Sequence, residues 1–86
     1  MSSDTLLLNG WPVGRVAAGC FKAASKSAFL RASSAAAEMV YAATGSESAA
    51  ADLVESLTFM WGSGGYSLDE FVDEIVNAGD GAFDVA

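Results

Sequence analysis

Apolar side chains recur at three- and four-residue steps through most of this chain, the spacing that gathers them on one side of an α-helix. From Val16 to about Ala43 the residues are mainly alanine, serine, lysine, phenylalanine, leucine and methionine, a helix-forming composition. Within that segment Ala17, Phe21, Ala24, Ala28, Ala32, Ala35, Met39 and Ala42 fall on one continuous stripe. Because the stripe is mostly alanine, it predicts an unusually close approach by another helix. Ser33-Ser34 is the candidate point of division into two helices, since serine competes for backbone hydrogen bonds and caps new starts.

Thr44-Gly45-Ser46 then predicts an end and a beginning. Gly45 suits the left-handed position after a helix, and Ser46 can cap the next one with Glu47 in its first turn. In that next helix Ala50, Leu53, Val54, Leu57, Met60 and Trp61 define a core face, while Phe59 falls among the polar residues Asp52, Glu55 and Ser56. Gly62-Ser63-Gly64-Gly65 reads as a connector. After it, Ser67-Leu68-Asp69-Glu70 is a capping box, with Tyr66 and Phe71 in the staple positions. Leu68, Phe71, Val72, Ile75 and Val76 make one face of the last helix, and Asp69, Glu70, Asp73, Glu74 and Asn77 make the other, with Gly79 closing it.

The two ends follow a different pattern. Asn9-Gly10 lies between two apolar runs and suits a type I′ hairpin turn, while Pro12 limits the second strand to a short or edge position. A competing reading places Trp11 before the first helix and Pro12 at its first helical position. In the tail, Phe83 and Val85 alternate as an edge strand would, a strand able to pair with the hairpin. The fold expected is mainly α: a compact domain of three to four helices with a short N-terminal β-hairpin or extended arm and an extended C-terminal tail. Residues 1–15 form the arm, 16–79 the helical domain and 80–86 the tail of what is a single domain overall.

Composition changes this picture in one respect. A hydrophobic fraction of 52% and a mean hydropathy of +0.35 are high for 86 residues, whose surface is large relative to volume. Some apolar residues are therefore expected in an interface, even though many of them are alanine. The single cysteine, Cys20, excludes an intramolecular disulfide and is expected to be a small buried apolar residue. Histidine is absent, which removes the commonest general base and the commonest zinc ligand together.

Charge is segregated. Arg15, Lys22, Lys26 and Arg31 are all the bases, and every acid except Asp4 lies from Glu38 onward, for a net charge of −7. Arg15, Lys22 and Lys26, separated by seven and then four residues, are expected together on a face different from the alanine stripe. Three cations without interleaved exposed aromatics fall short of a nucleic-acid site, so direct nucleic-acid binding is not expected. Asp69, Glu70, Asp73 and Glu74 form a row that either solvates its helix or imitates the phosphate spacing of a nucleic acid.

Other candidate chemistry falls away residue by residue. Gly62-Ser-Gly-Gly65 lacks the lysine of a phosphate-binding loop, and Asp80-Gly81 with Asp84 lacks the alternating ligands of a calcium loop. No serine, nor Cys20, carries the local signature of an activated nucleophile. No enzyme activity and no cofactor is therefore expected. The opening Met1-Ser-Ser-Asp4 has no basic n-region, and no run approaches the ~20 apolar residues of a membrane span, so a cytoplasmic protein, or part of a particle assembled there, is expected.

The large apolar residues without a core face, Leu7, Trp11, Phe59 and Phe83, are the candidate interface anchors. Together these features point to a small acidic structural or accessory protein, homo-oligomeric or docked into a larger assembly such as a viral particle or other multi-copy complex. The alternative is a stoichiometric inhibitor that presents an acidic, nucleic-acid-mimicking face to a basic target protein, as a phage-encoded antagonist of host defence does.

Overall fold

The computed structural model describes residues 6–8, 11–79 and 84–85, with side chains from Pro12 to Gly79. Four helices make up the domain: α1 (Val13–Phe21), α2 (Lys26–Thr44), α3 (Glu47–Ser63) and α4 (Leu68–Ala78). Three short strands, β1 (Leu6–Leu8), β2 (Trp11–Pro12) and β3 (Asp84–Val85), pair in the order β2-β1-β3, antiparallel throughout. Leu7 is opposite Pro12 on one side and Asp84 on the other. The expected Asn9-Gly10 turn and the side chains of Leu7, Trp11 and Phe83 lie outside the described residues.

Helix α1 starts at Val13, earlier than the expected Val16, with Pro12 extended at the N-cap and so one place before the helix proper. Val13, Gly14, Ala17 and Cys20 point inward at three- and four-residue steps. The helix ends at Phe21. This corrects the expected division at Ser33-Ser34: the break falls at residues 22–25, where Ser25 is extended and its hydroxyl accepts from the Ala28 amide at 3.2 Å. Ser33 instead lies inside α2, 1% exposed, and its hydroxyl donates to the Leu30 carbonyl at 3.2 Å. A buried serine whose own helix supplies its acceptor leaves no unsatisfied group, and so does not terminate the helix.

The break resets the helical phase, and the expected alanine stripe does not survive it. Ala24 lies in the linker and Ala42 on the outside of α2, both exposed, whereas the inward face of α2 is Phe29, Ser33, Ala36, Met39 and Val40. Close approach between α1 and α2 keeps one member of the stripe, Ala32: a Cβ added to Gly19 would lie 3.4 Å from the Ala32 Cβ.

The remaining boundaries follow local chemistry. Gly45 is left-handed at φ 72° and donates to the Tyr41 carbonyl at 2.7 Å, and Ser46 accepts from the Ala49 amide at 3.1 Å. At α4 the Ser67 amide donates to Glu70 Oε1 at 3.0 Å, while Ser67 Oγ accepts from the Glu70 amide at 3.3 Å. The capping box is complete. Leu53, Leu57 and Met60 of α3 meet Phe71, Val72 and Ile75 of α4 in one core shared with α1 and α2. Trp61 locks the chain reversal between α1 and α2. Its ring stacks on Phe29 at 4.7 Å and 12°, and its Nε1 donates to the Ala23 carbonyl at 3.2 Å.

Candidate docking groove between α3 and α4

Once Leu53, Leu57 and Met60 turn inward, the same helical period carries Glu55, Ser56 and Phe59 onto the flank of α3 that faces α4. On α4, Glu70, Asp73 and Glu74 occupy the flank beside the buried Phe71, Val72 and Ile75. Between the two flanks runs an open groove of about 470 Å³, lined by these residues together with Met60 and Tyr66. Tyr66 arrives from the connector, whose Gly64 and Gly65 adopt positive φ (73° and 81°), and its ring meets Phe59 edge-on at 6.4 Å. Even with that neighbour, Phe59 is 65% exposed, the most exposed large apolar side chain among the described residues.

The aromatic surface does not stop there. Met60 and Tyr66 also line a smaller hollow of about 110 Å³ that reaches Phe21 and Phe71, and these two rings pack edge-on at 5.7 Å. An apolar strip therefore extends from Phe59 over Tyr66 to Phe21, with four carboxylates (Glu55, Glu70, Asp73 and Glu74) along the groove. Carboxylates lining a concave surface with a low-dielectric floor concentrate negative potential there. Such a surface suits a ligand that offers an apolar anchor and a cation together, because an aromatic face also attracts cations.

Of the residues singled out in the sequence, Phe59, Glu70, Asp73 and Glu74 come together in the groove, and Asp69 is exposed on α4 outside it. Arg15, Lys22 and Lys26 do not share one helical face. Arg15 is in α1, Lys22 caps its C-terminus and Lys26 opens α2, each exposed. Sequence reasoning missed Glu55 and Tyr66 as groove residues. The signal for Glu55 was its position one turn before Phe59, whereas Tyr66 joins only because the connector folds back.

The described residues show no other built chemical site. No group of three or more Cys, Asp or Glu side chains among them is placed to hold a metal ion, and none of their buried side-chain nitrogen or oxygen atoms lacks a hydrogen-bond partner. Cys20 is buried in the core, where loss of water contact pushes its thiol up to about 11 and keeps it a neutral, inert group. No described helix is long and apolar enough to cross a membrane. Compared with protein-family models, curated proteins and solved structures, the chain matches none.

Proposed function

We propose that this is a non-catalytic accessory protein that docks on a basic partner protein of a larger assembly through the α3–α4 groove. The observation that carries the reading is Phe59, left 65% exposed within a groove bearing four carboxylates. An exposed aromatic ring costs solubility in isolation. Its burial against a partner contributes on the order of 1.5–3 kcal/mol, while the carboxylates set orientation and hasten encounter with a cationic surface. The partner is a protein, since the sign of the groove repels nucleic acid. The cytoplasm, or a particle assembled there, is the setting that suits such a subunit.

A second reading rests on Asp69, Glu70 and Asp73, exposed in sequence order along α4. A target that normally grips phosphates would meet this row as a decoy, making the protein a stoichiometric inhibitor. The two readings share a surface and differ in outcome. An accessory subunit remains in its assembly, whereas a decoy is displaced from its target by added nucleic acid.

Titration of the isotope-labelled protein with an amphipathic Arg/Leu peptide, and with a Gln/Leu control, tests the groove. Expected are amide shifts centred on Glu55, Phe59, Tyr66 and Asp73 with the cationic peptide alone, weakened roughly 10- to 100-fold by Phe59→Ser. Shifts spread evenly over all acidic residues, or a Phe59→Ser variant that loses its fold and not its affinity, would overturn the reading.

A further inference from the structure

Among the described residues helix α2 carries an exposed face that shares no residue with the α3–α4 groove. Ser27, Leu30, Ser34, Ala37 and Tyr41 follow one another at steps of three and four residues, the seam spacing of a two-stranded coiled coil. Leu30 and Tyr41 are each 47% exposed, and Ser27 and Ser34 are exposed beside them. One flank of the seam holds Arg31 and Glu38, both exposed. The other flank holds Ser33 and Val40, which are buried in the protein's own core and unable to face a second helix.

That asymmetry selects a geometry. Parallel helices pair one flank with the opposite flank of the neighbour, and here the second flank is occupied. Antiparallel helices pair like flanks, which sets Arg31 of each copy against Glu38 of the other about a two-fold axis between Ser34 and Ala35. Small residues at the axis let the two backbones approach closely. The same axis brings the second copy's Leu30 level with the stretch between Ala37 and Tyr41. At that place a hollow of about 300 Å³ is lined by Ala37, Glu38 and Tyr41 of α2 and by Glu47 and Ala50 of α3. Knob, hole and ion pair are thus all supplied twice by one surface.

We propose that α2 forms an antiparallel, two-fold symmetric contact with a second copy of this chain, each Leu30 seated in the other copy's Ala37–Tyr41 hollow and each Arg31 paired with the other's Glu38. The occupant is a second copy because one exposed flank carries both signs, Arg31 and Glu38, so each copy offers the cation and the carboxylate that the other needs. Such a surface is complementary to itself.

Sedimentation equilibrium over a concentration series, run near 0.15 M salt where the Debye length is about 8 Å, reads the contact directly. The expected mass rises from 8.8 kDa toward twice that value. Arg31→Glu and Glu38→Arg each weaken the dimer at least about tenfold by setting like charges together, and the double reversal restores most of it. Leu30→Asn weakens it as well, with circular dichroism unchanged because the side chain is outside the core. A mass of 8.8 kDa at every concentration, or charge reversals without effect, would overturn the proposal. So would a dimer that survives Arg31→Glu and is lost with Phe59→Ser, since that outcome moves self-association to the groove. Failure here leaves the peptide titration of the groove untouched, so the two readings fall separately.

Discussion

Cys20 lies in α1 with no exposed surface, and burial raises its thiol from an ordinary 9.0 to about 11. Between those values the unfolded chain gives up a proton that the native protein keeps. Its contribution is complete below pH 9.0 and is lost as the pH rises through about 11. Urea denaturation below pH 9.0 and near pH 11 is therefore expected to show the native protein losing about 2–3 kcal/mol more than Cys20→Ala, which has no thiol to ionise. Parallel losses in the two proteins would mean that the thiol reaches water in the native state. At Ser67, replacement by alanine is expected to cost about 1 kcal/mol in the same assay, because the Glu70 amide loses its side-chain acceptor and keeps only the 3.1 Å bond to the Ser67 carbonyl. Glu70 has two tasks, capping α4 through Oε1 and lining the groove. Unchanged stability in Ser67→Ala would show that α4 starts without the box.

Among the elements, α2 has a buried face and an exposed face that can be exchanged only at a cost. Ala36 has no exposed surface and Ala42 is exposed, although both are alanines in the same helix. Ala36→Leu is expected to destabilise by roughly 1–3 kcal/mol, since the added methylenes must displace a packed neighbour, while Ala42→Leu is close to neutral. Thermal denaturation of the pair checks the phase of the helix: equal effects would mean that the inward face is turned from Phe29, Ser33 and Ala36. The linker before α2 matters for the same reason. Ser25 restarts the helix, and the Trp61 hydrogen bond to Ala23 ties that restart to α3.

For the whole molecule, a net charge of −7 on 86 residues means that repulsion among carboxylates outweighs their attraction to four bases. The bases belong to α1, its C-cap and α2, while the groove carboxylates belong to α3 and α4. Added salt screens both effects, and the larger one decides the sign. The thermal midpoint at neutral pH is expected to rise by a few degrees, roughly 2–5 °C, between low and physiological salt. A falling midpoint would show that attraction between the basic and acidic ends dominates, with charge segregation then holding the fold together.

Helical class, the caps at Gly45, Ser46 and Ser67, and the core faces of α3 and α4 were all legible in the chain. Each of these depends on residues within a turn or two of one another, so the local pattern contains the whole cause. Tertiary structure alone decided where the long alanine-rich segment divides. Composition pointed to Ser33-Ser34, whereas burial of Ser33 against the other helices made it a core residue and Ser25, which composition did not single out, became the cap. It also decided that Glu55, Phe59, Tyr66 and Glu74 line one groove. That juxtaposition needs two helices and a folded-back connector to be packed in a particular register, and the local pattern of either helix alone carries no information about the other's position. The hydrogen bond from Trp61 to Ala23, 38 residues apart, is the same kind of fact: both groups are legible in the chain, and only packing brings them together.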